Sequence, residues 1–189
     1  MLRAVEQNHP QRKFIIPWGP SHLSPSFLAA PNTAHAWTDG SFQASSGAGW
    51  IITADQLGAG PALTQGKKVL GVQCAAFDSE LIAIFFSLRE WTTSPRLRHY
   101  SSLIIHSGSR SIIAQLQHLR PDPGQSITLD VYNIILQLRR LPVRGLGDAY
   151  LIWAKGNAGT PGNERADRLA GSSKSASLSA HLTYCCQIA

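Results

Sequence analysis

The spacing of hydrophobic and polar positions changes along this chain from short runs to a helical period. Apolar runs separated by clusters of glycine, serine and proline predict three strands joined by turns, over residues 36–39, 49–53 and 69–74. Residues 78–91 then carry apolar side chains at three- and four-residue steps, which indicates an amphipathic helix. Asp78 or Ser79 is expected to cap the first turn of that helix.

The second half of the chain alternates predicted strands and helices. Short apolar runs predict buried strands over residues 103–107 and 149–153. Helical periods predict three further helices, which start at Ser109 or Ser111, cover residues 127–141, and cover residues 163–172. A strand meander followed by this alternation indicates an α/β protein with a mixed sheet covered by helices.

Composition divides the sequence into three parts. Residues 1–34 hold five of the eleven prolines and show no sustained period, so they are expected to form a Pro-rich N-terminal arm or linker. Residues 35–173 are predicted to fold as one domain, because 189 residues with 43% hydrophobic content suit a single core. Residues 174–189 are assigned to a C-terminal tail.

The chain is basic. It has 17 lysine and arginine residues against 11 aspartate and glutamate residues, a formal charge of +6 and a pI of about 9.6. This balance favours nucleic acid over neutral or acidic partners. A solvated basic face accounts for the charge equally well, so the motifs have to decide.

Cysteine usage and the absence of targeting patterns bear on the compartment. The three cysteines, Cys74, Cys185 and Cys186, follow neither a disulfide nor a zinc-site pattern, which suits a reducing environment. No apolar run has the length of about 18 residues that crosses a bilayer, and residues 1–13 have no secretory-signal pattern. We therefore expect an intracellular monomer, nuclear or cytoplasmic, without a membrane or protein partner.

Three acidic residues in separate predicted elements are the candidates for chemistry. Asp39 lies in the first strand, Glu80 in the first turn of the first helix, and Asp167 in the last helix. Carboxylates from several elements that converge on one point can bind two divalent ions about 4 Å apart, an arrangement that hydrolyses phosphodiesters. Each acid also has a simpler interpretation, since Asp39 suits an Asp-Gly turn and the other two complement a helix dipole.

Together with their surroundings, these acids resemble a known family. The region from about residue 36 to residue 172 resembles the type-one ribonuclease H domain, particularly the version found in fungal LINE-type (non-LTR) retrotransposon polyproteins. The matching segments are WTDGS at 37–41, GAGW at 47–50, FDSELIAI at 77–84, LIIHSGSRSII at 103–113, GQ at 124–125 and WAKGNAGTPGNERADRLA at 153–170.

The resemblance implies a fold and an active site. The fold is a five-stranded mixed sheet, with the first three strands antiparallel, flanked by helices. The active site uses Asp, Glu, Asp and Asp on two Mg²⁺ or Mn²⁺ ions to hydrolyse the RNA strand of RNA/DNA hybrids. By position, Asp39 is the acid that bridges both metals, Glu80 is the second ligand and Asp167 is the last.

Two of the family's working positions are substituted in this chain. The third acid falls at Gly108, and a loop histidine falls at Asn157. Glycine has no ligand atom, so metal affinity is expected to fall. Asn157 can hydrogen-bond but cannot move a proton near neutral pH. The neighbouring His106 is predicted to be a buried structural residue and not a replacement ligand.

Recognition of the hybrid in this fold is expected to depend on backbone and 2′-hydroxyl contacts. The candidate nucleic-acid-binding residues are Ser41, Gln43, Arg110 and Lys155. For Arg110, an ordinary surface position on a helix is the slightly favoured interpretation and a phosphate contact is the alternative.

Three hypotheses remain open on the sequence alone. The first is a ribonuclease H-type endonuclease, either active or with its activity lost. The second is a non-catalytic nucleic-acid-binding remnant of a retrotransposon polyprotein. The third is a scaffold that contacts protein through the Pro-rich arm.

Overall fold

The computed structural model describes residues 14–15, 23–42, 46–71, 74–118, 128–131, 133, 148–156 and 158–172. The strands are β1 (Phe14–Ile15), β2 (Thr33–Phe42), β3 (Ser46–Thr53), β4 (Ala62–Gly71), β5 (Ser102–Ser107) and β6 (Asp148–Trp153). The helices are α1 (Pro25–Leu28), α2 (Ala76–Thr93), α3 (Arg110–His118) and α4 (Pro161–Ser172), with a 3-10 turn at Pro95–Leu97.

Some sequence predictions fall outside these residues. Gln43, Asn157 and the predicted tail 174–189 lie outside the described residues. Within the helix predicted over 127–141, residues 128–131 and 133 are described, and all of them are helical.

The strands form one mixed sheet in the order β1-β6-β5-β2-β3-β4. β2, β3 and β4 are consecutive antiparallel neighbours, whereas β5 runs parallel to β2 and β6 runs parallel to β5. The predicted α/β fold, with a five-stranded mixed sheet whose first three strands are antiparallel, is therefore confirmed. The two-residue strand β1 extends this sheet by pairing in parallel with β6.

Two local predictions in this region are wrong. The third strand of the meander covers Ala62–Gly71 and not residues 69–74, because β4 lies at the sheet edge and its polar, exposed positions hide the strand period. Helix α2 begins at Ala76, and its N-cap is Ala75 without a side-chain cap. Ser79 does not cap the helix, since its hydroxyl donates back to the Ala75 carbonyl at 3.1 Å.

The main hydrophobic core lies between α2 and one face of the sheet. The predicted apolar stripe of α2 is buried there through Leu81, Ile84, Leu88 and Trp91. Burial of side chains of this size stabilises the fold by about 1.5–3 kcal/mol each. Within the described residues, no helix combines the length and the apolar character that crossing a membrane requires.

Helix α4 packs on the opposite face of the sheet from α2. Gly40 leaves room for α2, because a Cβ atom there would collide with the Glu80 backbone nitrogen. Gly49, which pairs with Asp39, leaves room for α4, because a Cβ atom there would collide with Ala166 and Ala170. Neighbouring residues of a strand point to opposite faces, so these contacts place the two helices on either side of β2.

A pair of buried histidines joins β2 to β5. His35 Nδ1 and His106 Nε2 are 3.0 Å apart, and His35 Nε2 lies 2.9 Å from the Leu28 carbonyl at the end of α1. His106 also stacks on Trp37, with ring centroids 3.9 Å apart. His106 is only 6% exposed, so its predicted role as a buried structural residue is confirmed.

Candidate active site

The carboxyl ends of β2 and β5 border a cleft of about 380 Å³. Because β2 runs parallel to β5 with Thr38 opposite Ser107, the next residues along the two strands, Asp39 and Gly108, emerge side by side. The cleft is lined by Asp39, Ala76, Phe77, Glu80, Gly108, Ser109, Ser111, Gly156 and Asn163. Strands, helices and the loop after β6 thus meet at one concave surface.

The three predicted acids interact through Asp39. The Asp39 carboxyl hydrogen-bonds with the carboxyls of Glu80 and Asp167. The close approach of α2 at Gly40 brings Glu80 to this point, and the close approach of α4 at Gly49 brings Asp167. Asp167 is exposed and lies outside the set of residues that line the cleft.

The carboxyls of Asp39 and Glu80 hold protons more tightly than ordinary acids. Burial raises the pKa of Asp39 from 3.8 to about 7, helped by the hydrogen bond with Asp167 and repulsion from it. Burial also raises the pKa of Glu80 from 4.5 to about 8, helped by repulsion from Asp39. Burial and the neighbouring negative charge disfavour ionisation of both carboxyls, so the pair retains a proton near neutral pH.

A cation would find part of a ligand set here. Glu80 Oε2 is buried and lacks a hydrogen-bond partner among the described residues, and the shared proton of the acid pair occupies a place where positive charge is favoured. No group of three histidine, cysteine, aspartate or glutamate side chains in the described part of the chain is arranged to hold a metal ion. The available ligands are therefore the Asp39–Glu80 pair, with Asp167 adjacent through Asp39.

Gly108 also lines this cleft, next to Asp39 across the β2–β5 pairing. It contributes a backbone carbonyl, which accepts a hydrogen bond from Trp153 Nε1 at 3.2 Å. A Cβ atom at Gly108 would make only an ordinary van der Waals contact, with the Gly156 Cα at 4.0 Å, and the backbone is not in the left-handed region that favours glycine. The glycine is consequently not required by the local backbone or by packing.

The segment after Gly108 turns directly into helix α3. Ser107 Oγ accepts from the Ser109 amide at 3.2 Å, and Ser109 Oγ accepts from the Ile112 amide at 3.4 Å. The predicted helix start at Ser109 is therefore confirmed. Next along the chain, the Arg110 guanidinium lies over the Trp153 ring, 3.9 Å from its centroid.

Helix α4 is held in place by the loop between β3 and β4. Arg165 donates to the carbonyls of Gly58 and Gly60, at 2.8 and 2.6 Å. Asp55 organises the same loop by accepting from the amides of Leu57, Ala59 and Gly60. Arg165 thus ties the helix that carries Asp167 to a loop that is already ordered.

The described nucleic-acid candidates stand at or after the carboxyl ends of strands β2, β5 and β6. Ser41 is partly buried near the end of β2, whereas Arg110 and Lys155 are exposed after β5 and β6. Gln43 and Asn157 lie outside the described residues, so their predicted roles are not tested.

The sequence analysis missed two residues of the site. Asn163 is only 7% exposed and lines the cleft beside the acids. Trp153 contacts both Gly108 and Arg110. Both stand in the segment 153–170 that carries the family resemblance, but charge and periodicity alone give neither of them special weight.

Comparisons with known proteins agree with the topology. No protein-family model matches the sequence, and no curated protein matches it either. Among solved structures, the chain is similar to ribonuclease H1 from the halophilic archaeon Halobacterium salinarum, with 19% identity and a TM-score of 0.52 over 75% of this chain and 97% of that one. It is also similar to LC11-RNase H1, isolated from compost by a metagenomic approach, with 19% identity and a TM-score of 0.53 over 75% and 95% of the two chains. The chain therefore has the fold of ribonuclease H1.

Proposed function

We propose that this chain is a ribonuclease H-type domain that binds RNA/DNA hybrids and hydrolyses their RNA strand with the help of divalent cations. The observation that carries the proposal is the meeting of Asp39, Glu80 and position 108 at one cleft of a ribonuclease H fold. Residues 35–173 would form this domain, with residues 1–34 as an arm. The fungal LINE-type origin is part of the same proposal and rests on the motifs.

The donor chemistry fits a hard cation such as Mg²⁺ or Mn²⁺, with fewer ligands than the family pattern. Asp39, Glu80 and Asp167 supply carboxylate oxygens, the ligands that these ions prefer. Gly108, at the position of the family's remaining acid, supplies no side-chain oxygen. When bound, the ions would activate water and stabilise charge on the attacking and leaving oxygens.

The chain's own residues then have distinct tasks. Asp39 and Glu80 would hold the cations, whose positive charge would offset the burial and the acid–acid repulsion that raise the pKa values of these two groups. Ser41, Arg110 and Lys155 would hold the strands of the hybrid, and Gln43 would do so after β2. Asn157, in the place of the family's histidine, would position a group by hydrogen bonding without accepting its proton.

The second candidate function is a nucleic-acid-binding module without catalysis. Two observations favour it: Gly108 offers no ligand atom, and no three-residue metal-ligand group is present among the described residues. In this case the cleft and the basic surface would bind the hybrid and leave it intact.

Cleavage of an end-labelled RNA/DNA hybrid in Mg²⁺ or Mn²⁺ separates the two functions. An endonuclease produces RNA fragments that disappear with Asp39→Asn, whereas a binding module retains the hybrid and produces none. Binding measured in the same samples distinguishes an inactive module from a protein that does not recognise the hybrid. Absence of both cleavage and binding would overturn both candidates.

A further inference from the structure

We infer that Arg110 and Trp153 form a preorganised site for a backbone phosphate of nucleic acid, with Trp153 as the residue that positions the Arg110 guanidinium. The inference deepens the proposed function and rests on it, because it names the contact that holds one strand beside the cleft. It also assigns Trp153 a task that its sequence position does not reveal.

Arg110 is poorly placed to stabilise its own helix. It is the first residue of α3, and the first turn of that helix contains no acidic residue. A positive charge at a helix N-terminus opposes the helix dipole. Among the residues that the structure describes, no acidic side chain pairs with Arg110 either, so its charge is available to a ligand.

Trp153 holds the guanidinium in a defined place. The Arg110 Cζ atom lies 3.9 Å from the ring centroid, well within the range of a cation–π contact. The edge of the same ring is fixed because Nε1 donates to the Gly108 carbonyl at 3.2 Å. A guanidinium held over an aromatic face still has N–H donors that can pair with the oxygens of a phosphate.

Residues next to Arg110 and close after Trp153 in the chain line the cleft. Ser109 and Ser111, the neighbours of Arg110, line the cleft, and so does Gly156, three residues after Trp153. Gly108 also leaves Arg110 available for a phosphate, because position 108 carries no carboxylate that would compete for the guanidinium. Binding through this pair should therefore not require a divalent cation.

Hybrid binding in EDTA at several salt concentrations tests the site without relying on cleavage. Arg110→Ala is expected to weaken binding about tenfold at low salt and to reduce the slope of log affinity against log salt by about 0.9. Arg98→Ala is the matched control: Arg98 is also exposed and loses the same charge, but it precedes β5 whereas Arg110 follows it. Arg98→Ala is expected to bind close to the parent.

Two substitutions of Trp153 test whether its ring positions the Arg110 guanidinium. Trp153→Phe keeps an aromatic face and is expected to bind like the parent, whereas Trp153→Leu removes the face and is expected to weaken binding about threefold with the salt slope retained. In the Arg110→Ala background, Trp153→Leu is expected to have no further effect on binding. A merely structural role for Trp153 would lower binding equally in both backgrounds.

Three results would overturn the inference. These are no hybrid binding by the parent in EDTA, an equal effect of Arg110→Ala and Arg98→Ala, or equal binding by Trp153→Leu and Trp153→Phe. The comparison of Arg110→Ala with Arg98→Ala tests the phosphate site even if Trp153→Leu does not fold, because both arginines are exposed. If the parent cleaves the hybrid in Mg²⁺ and Arg110→Ala binds it as tightly as the parent, the phosphate site is refuted and the proposed function stands. If Arg110→Ala weakens binding but the parent does not cleave the hybrid, the phosphate site stands and the proposed catalysis is refuted.

Discussion

The Cα atom of Gly156 is 4.0 Å from the place that a Cβ atom would take at Gly108, and among the described residues it is the nearest atom beyond the chain neighbours of Gly108. An ordinary van der Waals contact therefore limits this position on one side, and the cleft opens on the other. Any L-residue can also adopt the backbone here, because Gly108 is not in the left-handed region. Among the described residues, the backbone and the Cβ position at Gly108 therefore accept a side chain beside Asp39.

We predict that Gly108→Asp increases Mg²⁺ affinity by about tenfold or more and restores or increases hybrid cleavage, because it returns an oxygen ligand and a negative charge to the cleft. Calorimetric titration with Mg²⁺ measures the affinity, and hybrid-cleavage kinetics measure the activity. Gly108→Asn is the matched control, since it adds nearly the same volume without the charge. If Gly108→Asp binds Mg²⁺ no better than the parent, the positional assignment of this residue is wrong.

The acid pair makes the cation-free protein sensitive to alkaline pH. The folded-state pKa values of Asp39 and Glu80, about 7 and about 8, lie above the ordinary 3.8 and 4.5. The unfolded chain therefore releases these protons first, and stability that is fully present below about pH 4 is lost as the pH rises toward 8. We expect Glu80→Gln to raise the free energy of unfolding at pH 8 by roughly 1–3 kcal/mol and to change it little at pH 4.

Urea unfolding in EDTA at the two pH values checks this expectation. The matched control is Glu164→Gln, since Glu164 is exposed in the first turn of α4 and away from the cleft lining. Equal effects of the two substitutions at pH 8 would show that the Asp39–Glu80 contact does not oppose folding.

Divalent cations should offset the loss of stability that ionised Asp39 and Glu80 cause at alkaline pH. A cation that binds the folded state alone stabilises it in proportion to the logarithm of its concentration over the dissociation constant. We expect Mg²⁺ or Mn²⁺ to raise the Tm of the parent more at pH 8 than at pH 5, because protons compete for Asp39 and Glu80 at the lower pH. Asp39→Asn is expected to remove the effect. A Tm shift that is independent of both pH and Asp39 would place the cation elsewhere.

The sequence predicted the sheet and the acids better than it predicted how the site is held. Asp39 and Gly108 are neighbours because Thr38 pairs with Ser107, and this register is a tertiary fact that no local pattern contains. β4 was misplaced because an edge strand needs apolar residues on one face only. Trp153 was overlooked because both of its contacts, with Gly108 and Arg110, join segments that are far apart in the sequence.

Arg165 shows how a charged motif residue can act through packing. Its guanidinium spans two loop carbonyls, of Gly58 and Gly60. We predict that Arg165→Ala destabilises the protein by about 1.5–3 kcal/mol, because the carbonyls of the buried Gly58 and the half-buried Gly60 lose a charged donor. Arg168→Ala is the matched control, since Arg168 is exposed on the same helix. Unfolding in urea measures both, and equal losses would show that the loop contact adds no stability.

The His35–His106 pair is expected to lower the stability of the protein at acidic pH, and its ring protons have a fixed arrangement. The Leu28 carbonyl can only accept, so His35 Nε2 carries a proton, His35 Nδ1 accepts, and His106 Nε2–H donates. Burial lowers the pKa of His35 and lowers that of His106 from 6.5 to about 3, so stability that is present above pH 6.5 is lost as the pH falls toward 3. We expect ¹⁵N NMR to show both rings neutral at pH 6, protonated at Nε2 only, and His106→Gln, which keeps a donor, to flatten the acid loss in urea unfolding. A charged His106 at pH 6, or an unchanged acid limb in His106→Gln, would refute this arrangement.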